Sequence, residues 1–339
     1  SALLVIAASP LAAQVIPTYK AGPTARLGRE GGWDYLVVDT SFDRIYLSRG
    51  SHVLVVDGKH LEVVGDIQDT PGVHGIALTP LFDRGFISNG RDSSVTIFDR
   101  KTLATVGRVH GTGANPDAIV WDPASRRVFT MNGRSASASI IDATAADPAA
   151  ASVVGTIALG GKPEFAVVDG KGSLWINIED RGEIVRVDTR GMTVRDRWSL
   201  APCEEPTGLA LDAAHRRLFT VCSNRLMAVV DADDGKVVAT LPIGAGADGV
   251  AFDGASRLAF SSNGEGTVTI VHEDGPDAYR VVQTVATRRG ARTITLDPRT
   301  HAVYTVTADY SPAPAPTAEN PRPRPVPVPG SFTLLVLTP

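Results

Sequence analysis

Apolar runs of about four to six residues, each closed by a polar residue and a turn, follow one another along most of this chain. No stretch keeps apolar residues at i, i+3, i+4 and i+7, so the pattern predicts strands and no amphipathic helices. The runs also repeat. The stretch Asn115-Pro-Asp-Ala-Ile-Val-Trp-Asp122 recurs in degenerate form seven times. Aligned on the residue that closes it, the copies give Asp39, Thr79, Asp122, Asp169, Asp212, Asp253 and Asp297, spaced 40 to 47 residues apart. A second anchor closes a later run in six copies, at Asp57, Asp99, Asp142, Asp188, Asp231 and His272. A period of about 40–45 residues made of short β runs is the mark of a β-propeller blade.

The copy from Pro206 to Ala247 shows how one repeat builds a blade. Gly208–Asp212, Arg217–Val221, Leu226–Asp231 and Lys236–Leu241 read as four strands. Ala213–Arg216 is a polar turn, and Asp233-Asp-Gly235 is a tight one, because acidic residues before Gly tolerate positive φ. Such a meander leaves both faces apolar, so it is stable only when stacked between neighbours. The expected fold is therefore all-β: a seven-bladed propeller of four-stranded antiparallel blades. The seventh copy has strands over Thr293–Leu296, Ala302–Thr307 and Ser331–Leu337, and no fourth. A strand between Gln14 and Lys20 is expected to supply it, pairing with the C-terminal blade and removing two exposed edges. A six-bladed ring with a stray seventh unit is the alternative.

One propeller uses residues 14–339 as a single domain. A formal charge of −4, with no basic tract outside an Arg-Pro segment, does not suit a duplex nucleic-acid surface. Residues 1–13 read as the apolar part and cleavage region of a secretory signal, with processing after Ala13. A buried first strand is the other reading of that stretch, which is too short to span a bilayer. Export to the periplasm or medium is expected, with no transmembrane segment and a monomeric protein. The two cysteines agree: pairing about the 213–216 turn puts Cys222 opposite Thr207, within reach of Cys203, so a disulfide is expected. Residues 310–330 hold eight prolines, which excludes a central strand and predicts an extended insertion inside blade seven.

Candidate chemistry gathers at one end of the ring, where the first strands begin and the turns between second and third strands emerge. Five residues before each anchor stand Asp34, His74, Asp117, Glu164, Thr207, Asp248 and Arg292. Their flanks are repetitive while the position itself varies in size and charge, which suits a ligand surface more than a scaffold. The adjoining turns add Arg49, Arg134 and Arg181, whose guanidinium groups suit an anionic or polyhydroxylated ligand. Asn89, Asn132 and Asn263, each before Gly, are read as tight-turn residues. His52, His74 and His110, with Asp34 or Asp117, are candidate ligands for a transition metal. Asp34, Asp117, Glu164 and Asp248 are candidates for a divalent metal such as Ca²⁺ or Mg²⁺. The chain carries no Gly-x-Ser-x-Gly, no Walker loop and no dinucleotide fingerprint.

Arg127-Val-Phe-Thr-Met-Asn-Gly133 and Arg84-Gly-Phe-Ile-Ser-Asn-Gly90 resemble the YVTN repeat. The chain after Gln14 is similar to YncE-like members of that seven-bladed superfamily. The Asn of the repeat becomes Glu179, Ser223 and Ala308 in copies four, five and seven. The resemblance implies exported proteins, surface-layer proteins, lactonase-like enzymes and a nucleic-acid-binding member, and does not choose among them. The first expectation is an exported propeller binding a small molecule, metal or protein segment at the channel mouth. The alternative is a metal-assisted hydrolase, lactonase or lyase on the same face. There His74 would be base or ligand, Asp117 and Glu164 its partners, and Arg292 an anion stabiliser. Single-stranded nucleic acid fits poorly, since the mouth is acidic and only Tyr35, Phe165 and Tyr310 offer stacking.

Overall fold

A computed structural model describes residues 16–317, 323 and 325–339. The strands form seven four-stranded antiparallel sheets, each in simple meander order except the one that closes the ring. Blade five runs Pro206–Asp212, Arg217–Cys222, Leu226–Asp231 and Val237–Pro242, within two residues of the sequence reading at every boundary. The buried apolar residues fall into seven clusters, and each cluster spans the seam between two adjacent blades. Leu36, Leu54, Tyr304 and Leu334 fill the seam of blades one and seven, for example. The core is thus a ring of seams, and no blade has a core of its own.

Ring closure is present, but its strand lies further along the chain than expected. Lys20–Arg26 pairs antiparallel with Thr333–Thr338, supplying the fourth strand of blade seven. The physical reason is position: an outermost strand is mostly exposed, so it lacks the alternation that marks the inner ones. It even accepts Pro23, which an edge tolerates. The segment before it is anchored too. Tyr19 is buried, its ring 4.8 Å from Phe260 and its hydroxyl donating to the His301 carbonyl at 2.8 Å. The expected signal segment, residues 1–13, lies outside the described residues.

The repeat anchors act as turn acceptors. Asp99 accepts from the N–H of Lys101 and Thr102, and Asp231 from those of Asp233 and Asp234. The Asn-Gly reading is corrected. Asn89, Asn132 and Asn263 end second strands and are buried, and their amides donate to paired hydroxyls on the third strand. Asn89 Nδ2 reaches Ser94 and Thr96 Oγ atoms at 2.9 Å, and Asn263 Nδ2 reaches Thr267 and Thr269 at 3.0 Å. Positive φ falls instead on Ser93, Ala136 and Gly266. Hydroxyls two residues apart on the facing strand are the reason for Asn there.

Cys203 and Cys222 form the expected disulfide, Cα atoms 5.5 Å apart. Cys222 faces Pro206 and not Thr207, because a bulge adds one residue to the first strand. The proline-rich segment leaves blade seven between Val303–Thr307 and Thr333–Thr338. Its base is tied by Ser311 N–H to Val326 O and by Val328 N–H to Asp309 O. Among the described residues no helix is long and apolar enough to cross a membrane.

Candidate functional site

The same bulge recurs in blades two to five and positions the mouth residues. Val73 faces Asn89 and Ile76 faces Ile87, so the first strand carries one extra residue across His74 and Gly75. Asp117, Glu164 and Thr207 occupy the corresponding bulges, and Asp248 sits in that of blade six. A bulge turns a side chain out of the regular pleat and is favoured beside sites. Hydrogen bonds from the second strands then fix it. The Gly75 N–H donates to Ser88 Oγ at 2.8 Å, and Ser88 Oγ donates to the Asp117 carbonyl of the next blade at 2.5 Å. Asn177 Nδ2 does the same for the Thr207 carbonyl at 2.7 Å.

Three consecutive blades bring together His74, Asp34 and Asp117. His74 Nδ1 lies 2.7 Å from Asp34 Oδ2 and 3.7 Å from Asp117 Oδ1. One donor atom of each residue lies within 4.8 Å of the others. Further round, Glu164 Oε2 is 3.6 Å from Lys162 Nζ and makes no hydrogen bond although buried. Lys162 also pairs with Glu179. Arg292 Nε stands 3.3 Å from Asp248 Oδ2. Tyr35 of blade one crosses the axis, its ring 5.3 Å from Phe165 of blade four, and packs on the seam of blades three and four. Inner strands of all seven blades line the axial cavity of about 70 Å³, space for a few waters or one small polar group.

Burial in this acidic setting moves the carboxyl groups upward. Desolvation, then the Asp117 charge, raises Glu164 to about 8, with Lys162 acting against them. Asp117 rises to about 6 through burial, partly offset by His74, Lys162 and Tyr35. Asp248 also rises to about 6, burial again leading and Arg292 opposing. Burial disfavours charged His74, but the Asp34 hydrogen bond and the surrounding carboxylates outweigh it and raise its pKa. Burial and the same acids hold Tyr35 well above its ordinary value. A group of acids that resist ionisation together is a site short of positive charge.

The remaining expected residues do not join this cluster. His52 opens a third strand and lies 3.9 Å from Asp66 of the fourth, and His110 is exposed at the end of a fourth strand, the outermost position in its blade. Arg49 is buried against Phe332, its guanidinium 3.8 Å from the ring centre, and donates to the Arg29 carbonyl. Arg134 and Arg181 are exposed in short 3₁₀ turns on the mouth face. Thr207 lines the cavity with Glu164 and Asp248. Sequence reasoning did not anticipate Lys162. Its position, two residues before the mouth position of blade four, was the available signal.

No family model matches the chain, and no curated protein matches it. Solved structures do share the fold. One is Kuenenia stuttgartiensis hydrazine synthase, with TM-score 0.70 and 16% identity over 82% of this chain and 93% of that one. Another is the β-propeller domain of Myceliophteria thermophila Cps50 (Swd1), with TM-score 0.71 and 11% identity over 95% of this chain and 100% of that one. At these identities the likeness concerns the fold alone.

Proposed function

We propose that this protein is an exported binding propeller that takes a divalent cation, alone or with a small molecule attached to it, at the channel mouth. One observation carries the reading: one donor atom each from Asp34, His74 and Asp117, on three successive blades, lies within 4.8 Å of the others. One imidazole nitrogen with two carboxylate oxygens suits a transition ion better than Ca²⁺, which takes six to eight oxygens. Glu164, without a hydrogen-bond partner on its buried Oε2, is a further donor, and it lines the axial cavity together with Asp34. The disulfide and the YVTN-like repeats support export.

Metal analysis and calorimetric titration of the full chain test this reading. His74→Ala with Asp117→Ala is expected to remove one equivalent of bound divalent ion and leave the far-ultraviolet circular dichroism of the fold unchanged. Metal content equal to that of the unmodified chain in the double variant overturns it. A second reading, metal-assisted hydrolysis or lyase chemistry, is favoured by one observation. Glu164 is held near 8 while Asp117 stands near 6, the separated pair of carboxyl groups that acid–base work requires.

A further inference from the structure

At the opposite end of the strands from the mouth, the residue after the third-strand anchor bonds through its backbone to the turn between the first and second strands of its own blade. In blade two this is Arg100, whose backbone N–H donates to the Asp83 carbonyl. Its buried guanidinium grips Asp39 of blade one through Nε and Nη2 at 2.9 and 2.6 Å. Thr189, Ala232 and Glu273 make the same backbone bond in blades four, five and six. Blades four and five place an uncharged, buried side chain there. Blade six places an acid, and it faces Asp212, the first anchor of blade five. The position that joins opposite charges between blades one and two brings two carboxyl groups together here. Asp212 and Glu273 are 4% and 1% exposed.

One imidazole stands between them. His215 Nδ1 lies 2.7 Å from Asp212 Oδ2 and 3.2 Å from Glu273 Oε2. A single ring N–H serves one of these well and not both. The nearby Arg217 is engaged elsewhere, with Asp231 at 2.8 Å and Asp277 at 2.9 Å. Two ionised carboxylates with one imidazole leave net negative charge in a buried seam, which is unfavourable unless a cation or proton neutralises it. The equivalent anchors Asp39 and Asp169 are each met by an arginine of the next blade, Arg100 and Arg216.

We infer that Asp212, His215 and Glu273 form a second divalent-cation site, of the Zn²⁺ class, that joins blades five and six. One donor atom of each residue lies within 4.8 Å of the others, and the 3.2 Å separation of His215 from Glu273 is close to the roughly 3.3 Å edge of a tetrahedral zinc site, whereas the 2.7 Å hydrogen bond to Asp212 opens as the ion replaces its proton. His215, 38% exposed, gives the ion its route in and leaves the fourth position to solvent. Blades five and six supply every ligand, so the site needs none of the mouth residues.

The test titrates Zn²⁺ alone into chelator-stripped full chain carrying His74→Ala and Asp117→Ala. One equivalent is expected to bind and to raise the unfolding midpoint. Adding His215→Ala or Glu273→Gln should weaken that binding by more than about 100-fold, beyond the loss of an outer-shell partner. Either change should also abolish the midpoint shift. Where His215→Ala fails to fold, His215→Asn replaces it. Zn²⁺ binding and midpoint shift that survive both substitutions overturn the site. So does the absence of binding in the parent variant together with stabilisation by Glu273→Gln, which marks a seam neutralised by a shared proton. Because the mouth ligands are already removed, failure here is distinct from failure of the mouth reading.

Discussion

Glu164 shows how a single side chain sets the behaviour of the mouth. Its carboxyl titrates near 8 in the fold, against an ordinary value of 4.5. The folded pKa is the higher one, so its contribution to stability is fully present below about 4.5 and is lost as pH rises through about 8. Asp117 and Asp248, raised to about 6, add a loss of the same sign between roughly pH 4 and 6. At about 1.4 kcal/mol per unit, the Glu164 penalty is on the order of a few kcal/mol in alkaline solution. Chelator-stripped protein should therefore lose unfolding midpoint from about pH 4 to about pH 8, and Glu164→Gln should flatten the upper part of that loss. A midpoint with the same pH dependence in both proteins contradicts the raised carboxyl. The same variant addresses the enzymatic reading. Loss of lactone or ester turnover with metal content intact supports a proton-transfer role for Glu164, and unchanged turnover excludes it.

Among the elements, the first strands matter most: in blades two to six a bulge carries the mouth residue, and in blades two, five and six a glycine lets the next blade approach. A Cβ at Gly208 would stand 2.8 Å from Val250 N, 2.9 Å from Asp248 O and 2.9 Å from Gly249 Cα. All three are backbone atoms of blade six, which cannot rotate aside. Gly208→Ala should cost roughly 1–3 kcal/mol in denaturant unfolding, as overpacking does. Gly133→Ala, where the nearest neighbour would be 3.4 Å away, should stay within about 0.5 kcal/mol. Equal costs at the two positions contradict the close-approach account. The strands themselves were legible in the sequence, because runs such as Arg217-Leu-Phe-Thr-Val221 alternate and end at turn acids. The bulges were not. Register depends on the partner strand, so Cys222 was assigned to Thr207 and faces Pro206. Position in the repeat placed His74, Asp34 and Asp117 on one rim. It could not show that His52 turns to Asp66 or that Arg49 folds onto Phe332, since turn position alone does not set side-chain direction. The Asp212–His215–Glu273 triad was equally hidden, because a 58-residue separation joins His215 to Glu273 across a seam.

At the scale of the whole molecule, the mouth exists only while the ring is closed. Asp34 and Tyr35 come from blade one, Asp117 from blade three and Glu164 and Phe165 from blade four, and Tyr35 reaches Phe165 across the axis. What keeps blade one beside blade seven is the seam of Leu36, Tyr304 and Leu334. Pairing of Lys20–Arg26 with Thr333–Thr338 completes blade seven beside that seam. Removing residues 1–26 deletes that strand and Tyr19, and bares the edge of Thr333–Thr338, whose residues are buried except the last. An unpaired edge of this kind recruits other chains. The truncated protein should unfold at lower temperature and elute as dimers or larger species in light-scattering chromatography. It should also lose the cation equivalent assigned to Asp34, His74 and Asp117, since blade one would no longer be held against blade three. The triad lies in the seam of blades five and six and takes no ligand from the deleted residues, so its Zn²⁺ equivalent should persist. A monomer with the full-length midpoint and both equivalents would show that blade packing alone closes the ring. Loss of both equivalents would show that the ring folds as one cooperative unit, with no seam able to stand by itself.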